Sequence, residues 1–310
     1  MNFELDDDQR AILDAVGSLL EQRAGAERAM ALGPKGVCDD DLDRALRDSG
    51  FAEIALGADT GALEAVLVVE AIARACGVVS VGAEILVAPM VAGRSLPGPV
   101  ALGIAGRDEI VRFGAHARSA LVADGDVARV VDLEPGEGTA VHSNFGYPMG
   151  RLALTAGRGE SLGPGSAARL QSWWRLALAA EAVGTMRAAL DVTLEYVARR
   201  RQFGRAIGSF QAVQHRLAEC AVLVEGSRWL SYEAAHHGAT PEAAATAAAQ
   251  AMAAAHRVFN ETHQFTGAMG FTREHALHAW SMRLWSLRLE LGGASGHRRA
   301  AARARWMSPS

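Results

Sequence analysis

Two short segments concentrate the side chains that could hold a charged ligand. Arg200-Arg201-Gln202-Phe203-Gly204 is followed closely by Phe210-Gln211. A guanidinium is a permanently charged fork of donors, matched to phosphate oxygens. A glutamine amide both donates and accepts, so it can hold the polar edge of a sugar or a base. Further on, Gln264 precedes Gly267-Ala268-Met269-Gly270. Small residues at a helix joint let backbone approach a ligand closely. Taken singly, Arg200 also reads as a solvated charge at a helix end, and Gly267 as a cap. Two acids stand in apolar company, Glu181 in Ala179-Ala180-Glu181-Ala182-Val183 and Glu290 in Leu289-Glu290-Leu291. A carboxylate in such surroundings is a candidate for proton transfer. The simpler reading of Glu181 is a structural carboxylate that pairs within a helical bundle.

Other chemistries find little support. His236-His237 are adjacent and face different ways on a helix, beside Gly238, where a helix end favours positive charge. His275 and His278 share a face but lack the His-Glu-x-x-His pattern, so no metal site is expected. Trp173-Trp174 read as packing. No Gly-x-Gly-x-x-Gly follows a strand, and neither a Walker sequence nor a Gly-x-Ser-x-Gly elbow is present. The formal net charge is -4, which leaves no electrostatic footprint for nucleic acid. Cys38, Cys76 and Cys220 are odd in number and widely spaced, which points to a reducing, cytoplasmic setting and no zinc. The acidic start Met1-Asn2-Phe3-Glu4-Leu5-Asp6 suggests no signal peptide, and no apolar run reads as a membrane span.

Three regions must position these residues. Residues 1–95 read as helices, with an N-terminus at Asp6-Asp7-Asp8, a second helix over Asp41–Ser49, a third over Ala62–Cys76, and a stretch near Val79–Val87 ending before Pro89. Residues 96–160 are rich in Gly and Pro, with short apolar runs at Val100–Ile104, Ala120–Val122 and Val127–Val131, and suit a reduced, β-rich middle region. Residues 161–310 return to long helices. The first spans Ser166–Arg200. Ser209 is a cap for the second, Thr240-Pro241-Glu242 starts the third, and Thr272 caps a fourth that stops at Gly292-Gly293, with a shorter helix after Ser295. Long helices with short joints predict an antiparallel four-helix bundle.

Arg200-x-Gln202-Phe203-Gly204, continued by Ile207-x-x-Phe210-Gln211, resembles the acyl-CoA dehydrogenase signature. Gln264-x-x-Gly267-Ala268-Met269-Gly270-Phe271-Thr272 resembles the second signature of that family, with Ala268 in place of one glycine. The resemblance implies a mainly α, acyl-CoA dehydrogenase-like fold with FAD as cofactor. It implies that Arg200, Gln202, Phe203 and Gln211 meet the adenosine-pyrophosphate part of FAD. Gln264, Gly267 and Ala268 would line the same region, the flavin being held mainly by a neighbouring subunit.

The sequence departs from the family in two places. The middle region is short and lacks the Thr-Glu-Pro-like and Trp-x-Thr segments that hold the flavin ring. The family's usual base precedes Gly-Thr, whereas Gly292 stands at that position here, with Glu290 two residues earlier and turned elsewhere on a helix. The alternative base position on the first bundle helix holds Trp174. These losses resemble the short subunit of actinobacterial heteromeric, steroid-degrading acyl-CoA dehydrogenases. That resemblance implies a larger dehydrogenase subunit as partner in a heterotetramer, an acyl-CoA substrate, and electron transfer to an electron-transfer flavoprotein. Two other readings stay open: a non-catalytic structural subunit, and a self-sufficient homo-oligomeric dehydrogenase using Glu290 or Glu181.

Overall fold

The computed structural model describes residues 4–307, so the reading of Met1–Phe3 lies outside the described residues. Helix α1 (Asp7–Arg23) opens with a reciprocal capping box between Asp6 and Gln9. A short α2 (Ala26–Leu32), not anticipated from the sequence, sits between Gly25 and Gly33. Helix α3 (Asp40–Asp48) is capped by Asp39, and α4 (Ala62–Arg74) begins after Gly61. The next segment differs from expectation. A π turn, Gly82–Val87, runs directly into α5 (Ala88–Ala92), so Pro89 sits inside the helix rather than beyond its end. The π turn has already interrupted the regular ladder there, so the missing N–H of Pro89 costs less than it would in an unbroken α-helix.

Seven strands follow: β1 (Val100–Ile104), β2 (Asp108–Arg112), β3 (Ser119–Asp124), β4 (Val127–Asp132), β5 (Thr139–Val141), β6 (Met149–Ala153) and β7 (Glu160–Pro164). They form one sheet in the order β1-β3-β4-β7 and another in the order β2-β6-β5. Side chains alternate between the two faces of a strand. Val100 and Leu102 of β1 therefore join the main core with Leu121, while Ala101 joins Ala120 and Val122 in a second, smaller core.

Helix α6 (Ser166–Arg199) is buried along most of its first two-thirds. A two-residue hairpin, β8 (Arg201–Gln202) and β9 (Arg205–Ala206), links it to α7 (Gln211–His236). Thr240 caps α8 (Pro241–Thr266), with Pro241 in its first turn, as the sequence suggests. Ala244, Ala247, Ala248, Ala251 and Ala255 of this helix are fully buried and allow close packing on α6 and α7. Antiparallel pairing of α7 with α8 is fixed by Arg216–Glu261 at 2.6 Å and Arg257–Glu219 at 3.1 Å.

Three boundaries in this region depart from the sequence reading. Ser209 donates to the Ala206 carbonyl and does not cap α7. Thr272 donates to the Met269 carbonyl, and α9 (Leu277–Leu287) starts only five residues later. The last helix, α10 (Gly293–Trp306), is longer than α9 and packs along α8. In neither case does the hydroxyl accept an N–H of the helix that follows: α7 has no side-chain cap, and α9 begins too far from Thr272 to be reached.

Candidate functional site

A cavity of about 680 Å³ opens where β1 and β2 face α6 and the α9–α10 joint. Its polar wall is organised around Arg112, the last residue of β2, whose side chain is only 10% exposed. One edge of the guanidinium grips Glu181 of α6, with NH1 to Oε2 at 2.6 Å and NH2 to Oε1 at 3.2 Å. Its Nε donates to Glu290 Oε1 at 2.5 Å. The second oxygen of Glu290 accepts from Trp174 Nε1, also at 2.5 Å. Tyr147 donates to Glu181 at 3.4 Å and lies under Arg112, whose guanidinium carbon is 4.9 Å from the ring centroid. Gly82 of the π turn makes the approach of α6 possible, because a Cβ there would run into Glu181.

The charges in this network follow from burial and pairing. Burial works against the Arg112 cation, and Glu181 and Glu290 outweigh it, so Arg112 is held above its ordinary range. Burial raises the Glu290 carboxyl above the usual carboxylate range, against the pull of Arg112. Burial and the nearby Glu181 also push the Tyr147 phenol up.

The two acids singled out in the sequence thus meet in one cavity, in ways the sequence reading missed. Glu290 does not turn away on a helix. It sits in a tight turn, Glu290–Gly292, that aims it back at α6. Glu181 finds its partner on a strand, not within the bundle. Trp174 is buried, as a packing residue should be, but it also orients Glu290. Arg112 and Tyr147 were not anticipated. The available signal was a charge inside the apolar run Ile110-Val111-Arg112-Phe113.

The other candidates lie at the far end of the bundle. Arg200 is the exposed residue just after α6, and Gln202 is exposed on β8. Phe203 and Gly204 form the hairpin turn, both with positive φ (52° and 77°), the geometry of a tight two-residue turn. This turn drives the Phe203 ring outward, leaving the residue 91% exposed. Gln211 opens α7, where no side chain caps the free N–H groups. Gln264 and Ala268 are exposed on the α8 joint, and Gly267 has φ +59°. The two segments share one end of the bundle: Arg216 of α7 lies 5.0 Å over the Phe265 ring, and Tyr196 meets His275 edge-on at 5.4 Å. Among the described residues, no group of three or more His, Cys, Asp or Glu is arranged to hold a metal, and no helix is long and apolar enough to cross a membrane.

Residues 166–305 match the family described as "Acyl-CoA dehydrogenase, C-terminal domain". This stretch resembles an acyl-CoA dehydrogenase C-terminal domain. The acyl-CoA dehydrogenase IpdE2 of Mycobacterium tuberculosis is 41% identical over 106 residues, covering 34% of this chain and 33% of that protein. IpdE2 of Mycolicibacterium smegmatis is 33% identical over 171 residues, covering 52% of this chain and 54% of that protein. These alignments thus span between a third and about half of the curated relatives' length. The ChsE4-ChsE5 complex from Mycobacterium tuberculosis contains a chain that superposes with a TM-score of 0.83 at 24% identity, with 100% of both chains covered. A structure titled "Tcur3481-Tcur3483 steroid ACAD G363A variant" superposes at 0.84 and 23% identity, covering 96% of this chain and 98% of that one. At such identity the likeness establishes the fold: helices, a small β region and a helical C-terminal half, as in acyl-CoA dehydrogenases.

Proposed function

We propose that this chain is one subunit of an FAD-dependent acyl-CoA dehydrogenase, completing the FAD site of a larger partner subunit that supplies the catalytic base. The observation that carries this reading is the state of the chain's own acids. Desaturation of an acyl thioester needs a carboxylate free to reach the α carbon. Glu181 and Glu290 are instead both tied to Arg112, and Glu290 also to Trp174. A base for this reaction therefore comes from elsewhere.

The exposed end of the bundle supports the role toward FAD. Arg200 would meet the pyrophosphate, reinforced by the uncapped N-terminus of α7, where backbone N–H groups favour anions. Gln202, Gln211 and Gln264 would hold polar edges of the adenosine part, with Phe203 against its flat face and Gly267-Ala268 giving close backbone approach. When bound, FAD supplies the hydride acceptor. The residues of this chain bind and orient it. Two of the structures with this fold pair two differently named proteins, which supports a hetero-oligomer, here a heterotetramer. One of them is titled a steroid enzyme, which supports a bulky, steroid-derived acyl-CoA as substrate. Electrons would leave to an electron-transfer flavoprotein, and the setting is cytoplasmic.

Glu290→Gln in the assembled complex tests the assignment. The variant keeps a hydrogen-bonding side chain, and turnover of acyl-CoA is expected to stay unchanged. Removing a working base costs about 10²–10⁴ in rate, so a fall on that scale would identify Glu290 as the base and end this reading.

A further inference from the structure

A second cavity, of about 390 Å³, lies between the α2 end, the segment joining β5 to β6, and the start of α9. None of the residues assigned above to FAD lines it, and neither do Glu181 or Glu290. Its cationic or potentially cationic groups come from several directions: His142 from the β5–β6 segment, Arg273 from the turn before α9, and His278 and Arg283 from α9 itself. Among the described residues, no carboxylate lines this cavity. Arg283 is 1% exposed, and its Nε and NH1 donate to the Gly146 and Gly77 carbonyls at 3.2 and 2.8 Å. Its third nitrogen has no hydrogen-bond partner, and no carboxylate pairs with this guanidinium among the described residues. The guanidinium is stacked 4.7 Å from the Tyr147 ring centroid, so its buried charge favours an anion in the cavity through its field rather than by direct contact. Arg273 makes one long bond, 3.3 Å to Asn144 Oδ1, and its charge is otherwise free to turn inward. The ring of His278 is oriented by Nδ1 donating to the His275 carbonyl at 2.9 Å, so Nε2 accepts from a protonated phosphate oxygen when the ring is neutral and donates to an anionic one when the ring is a cation. Ser143 and Asn144 add neutral polar groups.

We propose that this cavity binds a phosphomonoester. Positive groups spread over several walls suit a tetrahedral anion, whose oxygens point several ways, better than a flat carboxylate with two oxygens in one plane. The cavity is larger than a bare phosphate needs, and Met30, Pro34 and Phe271 give it an apolar side that can cover the ligand's organic part. This inference needs no partner subunit, and repeating the titration on Arg200→Ala separates binding in this cavity from binding at the end of the bundle proposed for FAD.

Calorimetric titration of the full chain with inorganic phosphate, adenosine 5′-monophosphate, glycerol phosphate and acetate, at constant ionic strength, tests it. Saturable binding of the phosphates, and none of acetate, is expected. Arg273→Gln, at an exposed position, should weaken phosphate binding about tenfold or more without unfolding the chain. His278→Gln should weaken it as well. Tighter binding of adenosine monophosphate than of glycerol phosphate would identify a nucleotide as the ligand, and equal binding a simpler phosphomonoester. Absence of saturable phosphate binding, equal binding of acetate, or full affinity retained in Arg273→Gln would overturn the proposal.

Discussion

Replacing Arg112 with alanine should destabilise the chain by about 3–5 kcal/mol, read as a lower denaturant midpoint at unchanged slope. The magnitude follows from what is left behind. The side chains of Glu181 and Glu290 are only 3% and 19% exposed, and both lose their counter-charge at once. The deficit should depend on pH in a defined direction. Burial already raises the native pKa of Glu290, and Arg112 is what holds it down. Without Arg112 that pKa rises further above the unfolded value of about 4.3. The native variant then retains a proton that the unfolded chain gives up, so its stability falls as pH rises through that window. The deficit is smallest in acid, where the carboxyls are neutral in both states. A loss below 1 kcal/mol, or one that grows toward low pH, would mean that the network does not carry these charges.

Arg200→Ala and Gln264→Ala, made in the complex with the partner subunit, should loosen FAD without unfolding either chain. Arg200 and Gln264 are exposed here, so neither truncation leaves a hole in this subunit. A charge-assisted bond to a phosphate is among the stronger single contacts, and losing it should weaken FAD retention about ten- to a hundredfold. Gln264→Ala removes a neutral amide and should cost less. The readout is bound flavin after gel filtration. Unchanged flavin in both variants would leave a purely structural subunit as the better reading.

Much of the helical framework was legible because it rests on local chemistry. Thr240-Pro241-Glu242 places the start of α8 at the right residue, since a capping hydroxyl and a first-turn proline act within one turn. The joint after α8 was legible for a similar reason, Gly267 being needed where φ is positive. Boundaries set by longer-range packing were not. Pro89 looks like a stop, yet the π turn before it shifts the backbone so that the chain continues as helix. Thr272 looks like a cap, yet α9 begins only at Leu277, five residues on.

The same division holds for the site. The exposed motif around Arg200 to Gln211 could be read because its residues are contiguous. The Arg112–Glu181–Glu290 network could not, since its members lie on a strand, a helix and a turn separated by 69 and 178 positions from Arg112. Nothing in sequence spacing announces a meeting of that kind. Glu290 shows the cost of assuming an unbroken helix. Leu291 has φ +49°, a break that reverses the chain and returns Glu290 to the cavity.

The most direct test of the central claim is the FAD content per subunit, measured on this chain purified alone and again after co-purification with its partner dehydrogenase subunit. The account predicts a colourless chain that becomes part of a yellow, active complex. A chain that is yellow and oxidises acyl-CoA by itself would contradict it, and would return Glu290 and Glu181 to consideration as working bases.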